Sequence, residues 1–294
     1  MYEEIILLLK CPNCDKPLNL IDSVVENGDI VKGKLKCSCE EPWEIRNGIL
    51  DFRVEEQENV NRWSELTKDM SFEELDEMIL NKTPQNQQEL TQKTIEDTID
   101  YLNLNKPEVV IDIATGRGML LNELAKELKY EFHLVCIDLS YLVLRADKEK
   151  VQKYNPKIKV SFVSCDATHL PFIDNSYDLA LSFMGISNMR ELTFKALKET
   201  YRVLKYSHNF LNSSIVIKEN SEGYEVLKKL IGNQALEGYC KFFLANEVEQ
   251  FHKEAGFKEV EFKMVGESIG QKNELDLLPY EGEWFGIGNV YAKK

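Results

Sequence analysis

The sequence has no apolar run long enough to span a bilayer, which excludes a helical membrane protein and removes a membrane partner from consideration. Its first residues, "MYEEIILLLKCP", place acidic side chains before a short apolar patch. A secretory leader needs a basic start and a small-residue cleavage site, so the chain is read as cytoplasmic. No long Lys/Arg stripe is present, and nothing signals DNA binding. An RNA partner stays open, because a local basic face fits inside a balanced domain. There is no internal repeat and no low-complexity tract. The seven cysteines are odd in number, which with no export signal argues against a disulfide framework.

What is there divides into three units. The 294 residues suffice for one large domain with an appendage, or for two domains. Residues 1–53 hold four of the cysteines, turn signals at "ENGD" and "VKGK", and "EEPWEIRNGILDF", which reads as two short strands around an Asn-Gly turn. So few residues bury little core, and such units usually need a metal or a partner domain. Residues 54–108 contain no glycine; between 55 and 108 there are 14 acidic against 5 basic side chains, in a chain whose net charge is −14. This segment is expected to be an acidic helical linker or cap, with its charge on a solvated face. Ser71 with Glu74 forms a capping-box pattern, "TQKTIEDTIDYLNL" has helical apolar spacing, and "NKTPQNQQ" reads as a loop between helices.

From 109 to 294, strand-like and helix-like runs alternate, which predicts an α/β fold with a parallel sheet covered on both faces. The closing runs "KEVEFKMVGE" and "EWFGIGNVYAKK" are separated by a short loop and can pair as an antiparallel hairpin.

The chemistry concentrates where the first of these strands ends. "VVIDIATGRGML" gives an apolar strand, Asp112, and then Ala114, Gly116 and Gly118 in the pattern D-x-A-x-G-x-G. Residues without bulk after a strand let a ligand lie against the backbone at the start of the next helix. Such a loop can cradle a phosphate or carry a nucleoside that has none. Asp138 ends the second strand, twenty residues beyond Gly118, where a carboxylate can take both ribose hydroxyls of any adenosine ligand. Asp166 lies just past the third strand, where it can accept the exocyclic amine of an adenine held between apolar neighbours. A dehydrogenase binding NAD is disfavoured by Asp166 and by the missing third glycine of its fingerprint.

The run from Val109 to about Asn188 resembles the S-adenosylmethionine (SAM)-dependent methyltransferases of the Rossmann-like class, within the subgroup carrying a D-L-P-F-x-D-x-S-F-D pattern. The matching positions are Asp166, Leu170, Pro171, Phe172, Asp174, Ser176, Tyr177 and Asp178, and the likeness continues through "KETYRVLK" and "LANEVEQFHKEAGFKEVEF". The resemblance covers most of residues 95–294. It implies a Rossmann-like seven-stranded, mostly parallel sheet with an antiparallel last strand. It also implies a cofactor-binding set of Asp112, Ala114, Gly116, Gly118, Asp138, Leu139, Asp166, Ala167 and Ser182. Two departures stand out: Ala114 replaces the first glycine, and "YSHNFLNSS" follows the helix where the family has a Pro-Gly-Gly turn.

SAM brings its own activated methyl, so these motifs do not name the acceptor, which can be an RNA base or a small metabolite. No N/D-P-P-Y/F run follows the fourth strand, and Ser182, Ser187 and Asn188 supply no general base. The catalytic residue is therefore left unassigned, and a non-catalytic SAM-binding scaffold is the alternative reading. His169 reads as a loop histidine, and Cys136, Cys165 and Cys240 as small core residues.

Cys11-x-x-Cys14 and Cys37-x-Cys39, with 22 residues between them, can supply four thiolates to a tetrahedral zinc. One residue separates the second pair where zinc ribbons usually have two. The stretch resembles the small zinc-ribbon domain that activates tRNA and protein methyltransferases as a separate subunit. It is also similar to the N-terminal ribbon of bacterial rRNA guanine methyltransferases. Four thiolates leave no open position, so the metal would be structural.

Overall fold

The computed structural model describes residues 1–39, 42–53, 66, 69–128, 130–155, 157–231 and 237–294. The part of the acidic segment between 54 and 68 thus lies, except for residue 66, outside the described residues.

Among the described residues, one sheet of eleven strands runs through the molecule. In chain order the strands are β1 (Asn19–Glu26), β2 (Asp29–Lys36), β3 (Pro42–Arg46), β4 (Ile49–Asp51), β5 (Val109–Ile113), β6 (His133–Asp138), β7 (Lys159–Ser164), β8 (Tyr177–Phe183), β9 (Leu204–Ile217), β10 (Glu259–Ile269) and β11 (Trp284–Lys293). Across the sheet their order is β1-β2-β3-β4-β7-β6-β5-β8-β9-β11-β10. The centre, from β4 to β9, is parallel, and β11 inserts antiparallel between β9 and β10.

The expected count of seven strands fits only the part of the sheet from residue 109 onward. Ile49, Leu50 and Asp51 pair in parallel with Phe162, Val163 and Ser164, so the N-terminal strands extend the same sheet. The physical reason is an exposed parallel edge at β7. A hairpin too small to bury its own core gains one by docking there.

The helices are α1 (Glu3–Ile6), α2 (Phe72–Lys82), α3 (Gln85–Asn105), α4 (Met119–Glu127), α5 (Tyr141–Tyr154), α6 (Thr193–Val203), α7 (Glu222–Ile231), α8 (Glu237–Cys240) and α9 (Val248–Glu254). Strand side chains alternate between two cores, as a period of two demands. Val110, Leu134 and Leu179 face α3, α4 and α5, while Ile111, Val135 and Ala180 face α1, α6 and α9.

Local signals explain several boundaries. Ser71 caps α2 in a reciprocal box: its hydroxyl accepts from Glu74 N, and Glu74 accepts from Ser71 N at 2.8 Å. Asn27-Gly28 and Asn47-Gly48 turn the two N-terminal hairpins with positive φ at both positions.

Three sequence expectations are corrected. "NKTPQNQQ" is not a loop: α2 runs to Lys82, Pro84 serves as the N-cap of α3, and the Gln/Asn run is helical. "VKGK" lies inside β2, where a Cβ on Gly33 would sit 3.3 Å from Leu20, so that glycine permits close packing rather than a turn. "YSHNFLNSS" is no turn either. It belongs to β9, with a register shift against β8 and Ser207 at φ 63° absorbing the extra residues.

Candidate functional site

β5, β6, β7 and β8 are neighbours, and their C-terminal ends bring Asp112, Asp138, Asp166 and Ser182 to one edge of the sheet. After β5 the chain takes left-handed turns at Ala114 (φ 57°), Gly116 (φ 60°) and Gly118 (φ 69°) before α4 begins. Each demand has its own cause. A Cβ on Gly118 would come 2.7 Å from Asp147 Oδ1, so no side chain fits. Above Gly116 the nearest atom would be Ala114 O at 3.9 Å, so the backbone there is open to a ligand. Ala114 adopts φ 57° as a non-glycine residue, at a cost of about 1 kcal/mol.

Carboxylates brace this loop. Asp138 is buried, and its two oxygens accept from Gly116 N at 3.0 Å and Ser140 N at 2.9 Å. It therefore joins the glycine loop to the start of α5, with half-buried Leu139 between. Asp166 Oδ1 accepts from Thr168 N at 2.7 Å, which shapes the loop after β7, and Ala167 beside it is buried. Asp112 is fully buried with Oδ1 unpartnered. Burial pushes its carboxyl up to about 7, with the Asp138 charge adding to the rise and Thr115 opposing it. Ser182 is placed at the same edge but is already engaged: its hydroxyl donates to Ile113 O at 2.9 Å and accepts from Ile186 N at 3.0 Å.

Other residues of the D-x-S-Y-D run lie away from this edge. Asp174 pairs with Arg202 at 2.7 Å. Asp178 accepts from Val109 N at 2.9 Å and pairs with Lys205, beside a cavity of about 340 Å³ at the N-terminal ends of β5 and β8. That cavity sits at the wrong end of the sheet to share the loop.

Sequence reasoning missed three participants. Asp76 on α2 takes ion pairs from Arg117, inside the glycine loop, and from Lys150 on α5. No local pattern announces that contact, since Asp76 is 41 residues from Arg117. Asp147 on α5 lies beneath Gly118 with both oxygens buried and unpartnered, and burial raises its carboxyl well above the ordinary range. Trp43 packs edge-on to Phe52 at 5.2 Å beside the cysteines.

On the neighbouring side, after β8, the polar groups are consumed internally. Ser187 Oγ and Asn188 Nδ2 both donate to Met184 O, at 2.7 and 2.9 Å, and the Tyr239 hydroxyl donates to Ser187 O. Tyr239 packs edge-on to Phe243 at 5.3 Å, and Phe243 edge-on to Phe242 at 5.5 Å. His169 is no base here; its Nε2 lies 3.2 Å from Pro12 O, in agreement with a structural loop histidine.

Cys11, Cys14, Cys37 and Cys39 converge, with all four sulfurs within 4.8 Å of one another. Cys11–Cys39 and Cys14–Cys37 are each 3.6 Å apart, close to the edge of about 3.8 Å expected for four thiolates at 2.3 Å from a zinc. The Cys37–Cys39 edge is 2.7 Å, drawn in by the single intervening residue. Burial pushes the Cys11 thiol up, but the Asn13 backbone, the other thiols and Trp43 bring it down to about 7.

A family model described as a methyltransferase domain matches residues 110–207. Among curated relatives, the ubiquinone/menaquinone biosynthesis C-methyltransferase UbiE of Rickettsia prowazekii is 30% identical over 195 residues. That match takes in 57% of this chain and 74% of the relative. The demethylmenaquinone methyltransferase of Bacteroides fragilis is 37% identical over 107 residues, 36% of this chain and 43% of that enzyme. Among solved structures, the [4+2]-cyclase SpnF superposes with a TM-score of 0.50 at 16% identity, over 69% of this chain and 81% of that one, a likeness of fold alone. No helix among the described residues is long and apolar enough to cross a membrane.

Proposed function

This chain belongs to the SAM-dependent methyltransferases, and from that premise we propose that it methylates a small-molecule acceptor held beyond the end of β8. When bound, SAM supplies an activated methyl on a sulfonium, which leaves to an in-line nucleophile. The chain's own residues do the rest. The backbone opened by Gly116 receives the methionine end, and Asp138, at the end of β6, takes the ribose hydroxyls. Asp166 takes the adenine amine, with Leu139 and Ala167 against the ring. Ala114, Gly118 and Ser182 shape the loop, and Asp112 supports it from below. The single observation that carries this is the open Gly116 backbone bonded to Asp138 on the neighbouring strand, with Asp166 one strand further along the same edge.

Two features favour a small acceptor over RNA. The relatives are described as acting in ubiquinone and menaquinone biosynthesis. After β8, Ser187 and Asn188 are engaged on the Met184 carbonyl, and Tyr239 and Phe243 pack edge-on behind that turn. Such a turn suits an acceptor that brings its own nucleophilic atom and asks only for alignment.

We also take the four cysteines as a structural zinc site, supported by their convergence and by their two 3.6 Å edges. Residues 1–53, 54–108 and 109–294 remain the proposed units of the chain. Calorimetry with SAM or S-adenosylhomocysteine (SAH) tests the cofactor site, and absence of heat with both overturns it. Metal analysis should find one zinc per chain. Transfer of labelled methyl from SAM should favour a small-molecule extract over total RNA. Binding without transfer to either would leave a SAM-binding scaffold.

A further inference from the structure

The cysteine cluster and the loop that carries Asp166 are joined edge to edge. Lys10 N, next to Cys11, donates to Pro171 O at 3.0 Å, and Ile173 N donates to Leu8 O at 2.9 Å. Leu9 and Phe172 form the antiparallel bridge between them, and both are buried. Pro12 O, inside the first cysteine knuckle, lies 3.2 Å from His169 Nε2. His169 N in turn donates to Asp166 O at 3.0 Å, closing the same loop. On the other flank Phe52 N donates to Ser164 O at 2.8 Å, two residues before Asp166, and Phe52 stacks edge-on against Trp43. The loop after β7 is thus held from two sides by the N-terminal unit, and both sides lead to Cys11.

We infer that metal occupancy of the four cysteines is coupled to cofactor affinity through this seam, so that loss of the metal loosens Asp166 and weakens adenosine binding. The inference rests on the zinc and cofactor readings above. Its physical basis is an order-to-disorder change. The knuckle Cys11–Cys14 is a turn closed by Asp15 N on Cys11 O at 2.8 Å and by Cys11 N on Lys16 O at 2.9 Å, and it meets Cys37 and Cys39 through the sulfurs, so a shared cation would be the strongest tie between the two pairs. Once the knuckle opens, Pro12 O leaves His169, and the part of the loop nearest Asp166 keeps its bond from Thr168 N while Glu199 and Arg202 hold Leu170 and Phe172 further along. Coupling of this kind must act equally in both directions.

The test uses the full-length protein. Zinc-loaded protein is titrated with SAH by calorimetry, then again after chelation under reducing conditions; affinity should fall about tenfold. Reciprocally, zinc release from the loaded protein to a chromogenic chelator is followed with and without saturating SAH, where the apparent zinc affinity should rise by the same factor. This second arm needs only folded, loaded protein, so unfolding of the stripped form does not blunt it. His169→Ala, which leaves all four thiols and Asp166 in place, should shrink the SAH effect on zinc affinity. Protein that binds no zinc, or loaded protein that binds no SAH, refutes the underlying readings and the coupling with them. Protein that binds both, with zinc affinity indifferent to SAH, overturns the coupling alone.

Discussion

The loops after β5, β6 and β7 and the segment after β8 occupy the same edge of one sheet, yet they are built from opposite materials. The first three present backbone amides, glycine conformations and carboxylates: Asp138 accepts from Gly116 N and Ser140 N, and Asp166 from Thr168 N. The segment after β8 uses its polar atoms on itself, with Ser187, Asn188 and Tyr239 bonded around Met184 and Ser187 carbonyls under an aromatic cover. A shared cofactor always offers the same polar groups, so its side needs fixed partners at fixed strand ends. An acceptor that brings its own nucleophile needs shape and dryness instead.

The sharpest way to break that contrast is Asp138→Ala. The change removes the carboxylate proposed to hold the ribose hydroxyls, and with it the charge-assisted bonds from Gly116 N and Ser140 N. Each such bond is worth roughly 1.5–3 kcal/mol, so SAH affinity should drop by about a hundredfold or more. Calorimetry returning wild-type affinity would mean that the end of β6 does not hold the cofactor.

Asp112 should show itself next, in the pH dependence of stability. Its carboxyl rises from 3.8 to about 7 on folding, chiefly through burial. Between about pH 4 and 7 the folded chain keeps a proton that the unfolded chain has lost, so stability falls as pH rises through that window and levels off above it. Asp112→Asn removes this loss, and the variant should gain on the wild type by a few kcal/mol from pH 4.5 to 7.5. Asp147, also raised by burial, leaves part of the slope in place. Thermal midpoints that keep a constant offset across that range would show Asp112 ionised in the fold.

A smaller effect is expected at Asp76, which ties Arg117 and Lys150 together and is itself about one-third exposed. Screening leaves such a pair about 1 kcal/mol, so Asp76→Ala should weaken SAH binding about fivefold. The loss should shrink in high salt. A loss that is indifferent to salt would point to packing through the neighbouring Leu75, which is fully buried.

How far all this could be read from the sequence follows the same division. The strand order from β5 onward and the positions of Asp112, Asp138 and Asp166 were legible because each depends on a strand end and the few residues after it, all local in the chain. The convergence of the four cysteines was legible because the spacing within each pair is local. The two short strands around Asn47-Gly48 were legible too, but their docking at the β7 edge was not, since parallel pairing of Ile49–Asp51 with Phe162–Ser164 spans more than a hundred residues without a pattern in either partner. Asp76 stayed hidden for the same reason. Gly33 was misread because a turn-forming residue was taken at face value, and "YSHNFLNSS" because it stands where the resembled family has a Pro-Gly-Gly turn. Pairing on both sides of Gly33, and pairing of β9 with β8 and β11, overrode their preference for turns.

The acceptor side gives the smallest expected change and the most direct use of the contrast. Tyr239→Phe keeps the ring edge-on to Phe243 at 5.3 Å and removes only the hydroxyl that donates to Ser187 O. Losing that buried bond costs about 1 kcal/mol, enough to let the turn after β8 shift without unfolding it. Nothing in the change reaches Gly116, Asp138 or Asp166, so SAH affinity should stay at the wild-type value while KM for the methyl acceptor rises about fivefold. If SAH affinity falls as much as the acceptor KM rises, the two sides of the edge are one mechanical unit. The division between a polar cofactor side and a dry acceptor side would then describe composition only. If neither moves, the acceptor lies away from the Ser187 turn.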